Sequence, residues 1–228
     1  MRNSSRICCF IATSGLPTTS DPSGLRDSLV ASPLLAVLRP GSIGQAERQI
    51  EGLSAVGVKH VELSWSDDPC WPELVRHAIG HWPEIRCGAA GLRHADQLQV
   101  VADLGLAYAM SPIGSMAMVA TAASLGLTLV PGVFSPTEVD RFRDVGLVKL
   151  FPAASLKPQY WRQLRQPLHP LPFCIAAGGL RPEDAASWFA AGVQAVALGS
   201  SLFDAEDRLR PQDVSVLRSL AKADGDAD

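Results

Sequence analysis

Several residues of this chain sit where packing alone does not explain their type. Lys149 interrupts the apolar run Leu147-Val148-Lys149-Leu150-Phe151. Lysine is almost never fully buried unless it is paired. Burial and a nearby cation lower its pKa, which frees the amine to attack a ketone. Glu62 occupies the middle of His60-Val61-Glu62-Leu63-Ser64. Side chains alternate along a strand, so Glu62 and Ser64 share one face while Val61 and Leu63 share the other. A desolvated carboxyl there keeps a raised pKa and suits general acid/base work. Arg39 closes PLLAVLR, where a guanidinium fork can grip a carboxylate. Gly178-Gly179 in CIAAGGLRPED and Gly199-Ser200-Ser201 in VALGSSLF let backbone N–H groups approach an anion. Each feature also has a purely structural reading: Lys149 and Glu62 as an idle ion pair, Arg39 as a rim arginine held by an acid, and the glycines as turn residues.

These residues need a scaffold, and the hydrophobic pattern supplies one. Short unbroken apolar runs, typical of strands covered on both faces, fall at 34–39, 60–64, 85–89, 107–110, 128–130, 147–150, 173–176 and 195–198. Amphipathic stretches at helical spacing lie between them: 43–55 ending at Gly57, 74–79 stopped before Pro83, 95–104 ending at Gly105, 116–125 ending at Gly126, 136–143 after the N-capping Ser135, and 182–191 ending at Gly192. An extra helix is expected over 21–31, before the first strand. Eight strand–helix units over this length predict a single-domain (β/α)₈ TIM barrel spanning 21–221, with a doubly wound open sheet as the rival. In a barrel the C-terminal strand ends carry the chemistry, and the loops after strands seven and eight commonly hold phosphate. Arg39, Glu62, Lys149 and both glycine clusters fall on or beside strand ends of this kind.

The composition narrows the partners. Of 228 residues, 47% are hydrophobic and 19% charged, with a net charge of −3. That balance suits a packed globular chain and offers no electrostatic reason to expect nucleic acid or an anionic membrane. An anionic metabolite would need a local cluster of positive groups. No run approaches the length of a membrane span. Cys8, Cys9, Cys70, Cys87 and Cys174 form no CxxC pair, so zinc and redox motifs are not expected, and free thiols in a reducing, cytoplasmic setting are. Residues 1–20 read as a flexible extension rather than a secretion signal, and the acidic end 222–228 as a frayed tail.

From about Ser32 to Phe203 the chain resembles bacterial KDPG/4-hydroxy-2-oxoglutarate aldolases, where KDPG is 2-keto-3-deoxy-6-phosphogluconate. The carrying motifs are AVLRP, VELS, GAAG (88–91), MSP (110–112), LVPGVFSPTE (129–138), VKLFPA around Lys149, AGGL and LGSSLF. The resemblance implies a class I aldolase that cleaves KDPG to pyruvate and glyceraldehyde 3-phosphate, or 4-hydroxy-2-oxoglutarate to pyruvate and glyoxylate. It implies that Lys149 is the Schiff-base lysine and that Glu62 shuttles protons. It further implies that Arg39 holds the substrate carboxylate, that Phe151 and Pro112 touch substrate, and that Gly178, Gly179, Gly199 and Ser200 hold its phosphate. Such proteins are usually homotrimers and use no metal or cofactor. Three positions depart from the family pattern: Gly91 and Ala177 stand where threonine is usual, and Ser66 where some members have arginine. Each lost hydroxyl removes about 0.5–1.5 kcal/mol of hydrogen bonding, enough to shift specificity. Oxaloacetate decarboxylation by the same lysine, a phosphate-binding barrel isomerase or synthase without an imine, and a non-catalytic metabolite-binding barrel are the alternatives.

Overall fold

The structure is a computed structural model that describes residues 22–221. The extension expected at 1–20 and the tail expected at 222–228 lie outside the described residues. Strands and helices alternate throughout. In order they are α1 (Pro22–Ala31), β1 (Leu34–Leu38), α2 (Ile43–Ala55), β2 (His60–Ser64), α3 (Trp71–His81), β3 (Arg86–Ala90), α4 (Ala95–Asp103), β4 (Tyr108–Met110) and α5 (Met116–Ser124). There follow β5 (Thr128–Val130), β6 (Gly132–Val133), α6 (Pro136–Arg141), β7 (Leu147–Leu150), α7 (Pro158–Leu164), β8 (Phe173–Ala177), α8 (Ala185–Ala190), β9 (Ala195–Leu198) and α9 (Val214–Ala221). The fold is the expected (β/α)₈ barrel with a helix before its first strand, not the open sheet.

The eight expected strands are present with ends shifted by a residue or so. Three elements go beyond the expected ones. The first two are α7 and α9, short helices that bury Trp161 with Leu164 and Leu217 with Ala221; α9 is amphipathic, so its period was there to be read. The third is β6, two residues long. The helix expected over 182–191 opens with a 3₁₀ turn, Pro182–Asp184, and the one expected to reach Arg143 stops at Arg141.

Pro131 explains both the extra strand and the closure. All pairings are parallel, in the order β5-β4-β3-β2-β1-β9-β8-β7-β6. β5 pairs with β4, and β6 pairs with β7, yet only Pro131 separates β5 from β6. They are two halves of one stave, broken where proline has no N–H to give the ladder. The circle therefore closes with eight staves. The Pro131 carbonyl still accepts the Lys149 N–H at 2.9 Å.

Two apolar layers result. The outer one joins the outward strand faces (Val61 and Leu63 among them) to the helices. The inner one fills the barrel with residues such as Leu35, Val130, Leu147, Phe173, Ile175 and Ala195, and takes in Leu25 and Leu29 of α1. α1 thus plugs one end of the barrel, and Ser28 Oγ meets His60 Nε2 there at 2.7 Å. Among the described residues no helix is long and apolar enough to cross a membrane. If α1 is the floor of the barrel, Leu29→Ala should cost roughly 2–5 kcal/mol in urea unfolding. A loss under about 0.5 kcal/mol, the range of an ordinary surface substitution, would show that α1 is not an integral plug.

Candidate active site

All nine site residues expected from the sequence line one cavity of about 640 Å³ at the C-terminal ends of the strands. They form a gradient of depth. Glu62 on β2 and Lys149 on β7 are buried; Phe151, Pro112, Gly178 and Gly199 are half-buried; Arg39, Gly179 and Ser200 are exposed. β2 is the second stave and β7 the sixth. Glu62 and Lys149 therefore face each other from opposite sides of the barrel.

The backbone holds Lys149 between two neighbours, in register with Gly132 of β6 and Ile175 of β8. Its Nζ lies 5.6 Å from the Phe151 ring centroid. Lys149 is 5% exposed and Glu62 fully buried. Neither Glu62 oxygen has a hydrogen-bond partner among the described residues, so the idle ion pair with Lys149 is not made. Burial pushes the Glu62 carboxyl up to about 7, against the opposing pull of the Lys149 and Arg39 charges. Burial likewise lowers the Lys149 pKa and the Arg39 charge adds to that, while Glu62 opposes it. Desolvation outweighs attraction at both groups, and the outcome is an amine disposed to be free and a carboxyl able to carry or accept a proton near neutrality.

Arg39 lies just past the end of β1 and is exposed. The rim ion pair is absent: among the described residues no acid lies within bridging distance of Arg39. A guanidinium left unpaired at a cavity mouth is available to an anionic ligand.

The two glycine loops meet at the mouth. Gly178 and Gly179 have φ of +95° and +77°, which only glycine adopts cheaply. A Cβ on Gly178 would lie 2.8 Å from the Phe151 ring, and one on Gly179 would lie 2.8 Å from Ala154 Cβ. Their role as turn residues is real, and it brings bare backbone against Phe151. Ser201 Oγ donates to the Leu180 carbonyl at 3.2 Å and ties the loop after β9 to the loop after β8. Gly91 and Ala177 also line the cavity, so both missing threonine hydroxyls would have faced a ligand. Ser66 does not line it; its hydroxyl accepts the Asp68 N–H at 3.1 Å.

Sequence reasoning passed over Arg181 and Ser155, both in the lining. Arg181 follows the glycine pair in CIAAGGLR and was legible as a cation beside an anion cradle. In the structure it is mostly exposed and reaches Glu183 at 3.3 Å. Lys157 lies outside the lining and is solvent-exposed. Ser135 and Glu138 of PGVFSPTE form a reciprocal capping box at the start of α6, so that part of the motif serves local structure.

A sequence profile described as KDPG and KHG aldolase matches residues 25–219. The chain belongs to this family. It is thus an aldolase, a carbon–carbon lyase. It is 27% identical over 176 residues to the 2-dehydro-3-deoxy-6-phosphogalactonate aldolase of Escherichia coli K12, covering 76% of this chain and 85% of the relative. It is 31% identical over 175 residues to a probable enzyme of the same name from Rhizobium meliloti, covering 75% and 82%. A solved structure described as native KDPGal superimposes with a TM-score of 0.70 at 26% identity, covering 84% of this chain and 91% of its own.

The aldolase carries a pH signature of its buried acid. The Glu62 pKa is raised from 4.5 to about 7 in the fold. Its contribution to stability is therefore fully present below pH 4.5 and is lost as pH rises through 7. The loss should reach roughly 3 kcal/mol. Glu62→Gln removes the titration, so the stability of this variant relative to the unsubstituted chain should rise between pH 4.5 and 7 and level off above. Urea unfolding across that range checks it; a pH-independent difference would overturn the assignment.

Proposed function

We propose that this aldolase cleaves a 2-keto-3-deoxy-6-phosphohexonate to pyruvate and glyceraldehyde 3-phosphate through an imine on Lys149. The observation that carries the proposal is the placement of Lys149 and Glu62 on opposite staves at the bottom of one cavity, with desolvation favouring the free amine. Lys149 attacks the C2 ketone, and the carbinolamine loses water to give a cationic imine. That cation is the sink for the electrons of the C3–C4 bond. Glu62 takes the proton released as the C4 hydroxyl becomes a carbonyl and the aldehyde leaves. It returns a proton to C3 of the enamine, and hydrolysis of the resulting imine frees pyruvate. Arg39, unpaired at the mouth, holds the C1 carboxylate. The backbone of Gly178, Gly179, Gly199 and Ser200 takes the phosphate, with Phe151 and Pro112 packing on the carbon chain.

The galactonate epimer is favoured over the gluconate as the better substrate. Relatives named for it are 27% and 31% identical to this chain, while one named KHG/KDPG aldolase from Escherichia coli K12 is 25% identical. Ala177 also gives the wall a methyl group where the family usually offers a hydroxyl. The protein works as a homotrimer in this proposal. Ile113 and Phe134 on adjoining loops and Met116 at the start of α5 are 48%, 43% and 52% exposed, apolar surface that neighbouring subunits would cover.

Borohydride added with pyruvate should leave a reduced adduct on the peptide containing Lys149, and Lys149→Met should abolish both the adduct and cleavage, by at least about 10³-fold in kcat. A label on another residue, or cleavage surviving in Lys149→Met, would sink the imine. With the same preparation, kcat/KM for either phosphorylated epimer should exceed that for 4-hydroxy-2-oxoglutarate or oxaloacetate by roughly 10- to 100-fold.

A further inference from the structure

The inside of a small barrel is ordinarily filled with branched aliphatic side chains, and Tyr108 on β4 is an exception. It is fully buried, and its hydroxyl has no partner among the described residues. A buried tyrosine usually finds a partner for its O–H. Glu62, also fully buried, has two oxygens in the same condition. The register connects the two: Glu62 pairs with Gly88 of β3, and Gly88 with Tyr108. A Cβ on Gly88 would lie 2.4 Å from Tyr108 Cε2 and 2.5 Å from Cζ. The distal part of the ring therefore fills the space a Gly88 side chain would take, on the strand between Tyr108 and Glu62, and the Glu62 charge acts on the Tyr108 hydroxyl.

We propose that Tyr108 is a positioning residue: its hydroxyl makes no hydrogen bond to Glu62 in this structure, and donates to that carboxyl when it ionises, holding it ready to take a proton. The proposal rests on the imine chemistry above, in which Glu62 takes the C4 hydroxyl proton and returns a proton to C3; on the pyruvate imine the same step in reverse removes a proton from C3. Such a donor favours the charged carboxylate. The other charges acting on Glu62 are Lys149 and Arg39; the titratable groups acting on Tyr108, besides Glu62, are Arg86 and Cys87, the latter a thiol that burial keeps neutral at pH 7. Without the hydroxyl, the Glu62 carboxyl, already raised to about 7 by burial, is held protonated to higher pH, and less of it can act as base at neutrality.

Pyruvate itself is the probe, because exchange of its methyl protons with deuterated solvent needs only imine formation and transfer at C3. Tyr108→Phe conserves volume. It should slow exchange about 3- to 30-fold at pH 7 and move the acidic limb of the rate profile up by about half a unit or more, with KM little changed. In a Glu62→Gln background, Tyr108→Phe should add nothing. A rate within twofold of the unsubstituted enzyme and an unmoved limb would overturn the proposal.

A second measurement needs no substitution at Tyr108. The chain has 2 tyrosines, and Tyr160 donates to the Phe134 carbonyl at 2.6 Å, away from the site. Fluorine NMR of 3-fluorotyrosine-labelled protein should show one resonance titrating near pH 7, and that titration should vanish in Glu62→Gln. A flat Tyr108 resonance rules the contact out. Should the unsubstituted enzyme fail to trap pyruvate on Lys149, the imine chemistry falls while the fluorine titration still decides the contact. Should it trap pyruvate while the pH profile ignores Tyr108→Phe, only the present proposal falls.

Discussion

Desolvation inside a closed barrel governs this molecule's chemistry. Two ionisable side chains, Glu62 and Lys149, are carried by buried strands, and both line the cavity at the centre of the barrel. Opposite charges so placed would ordinarily protect one another. Here the carboxyl nonetheless rises to about 7 and the amine falls, so the loss of hydration is the larger effect. The stability given up by burying the acid is retained as reactivity, since a nucleophilic amine and a carboxyl poised near neutral pH are what carbonyl chemistry requires.

The scaffold serves that placement. Closure through Pro131 sets Lys149 between β6 and β8 and fixes its backbone by a bond to the proline's own carbonyl. α1 seals the opposite end with Leu25 and Leu29, leaving the C-terminal face as the open one. The cavity grades from buried ionisable groups to exposed backbone, Arg39 and Arg181. A ligand with a carbonyl near one end and an anionic group at the other fits that gradient. The glycine pair after β8 owes its identity to two constraints at once, positive φ and the closeness of Phe151 and Ala154.

Much of this was legible from residue types. The eight apolar runs name the staves because parallel strands are covered on both faces. Lys149 and Glu62 stood out because a charged side chain in such a run has no structural excuse. Less legible were α7, only seven residues long, and β6, which is defined by a proline and not by a hydrophobic run; α9 carries an amphipathic period and was simply passed over. Arg39 stood out as a guanidinium closing an apolar run, but that it lies exposed just beyond its strand only the structure shows.

The sequence alone determined which side chains share a strand face, because alternation along a strand is a local property, and it pointed to the family through the order of its motifs. Only the tertiary structure decided what meets what. That Glu62 and Lys149 stand on opposite staves, that the two glycine loops converge on one mouth, and that the Tyr108 ring lies against Gly88 all follow from closing the sheet into a circle. Closure brings residues far apart in the chain to one axis, and hydrophobic periodicity carries no information about that distance.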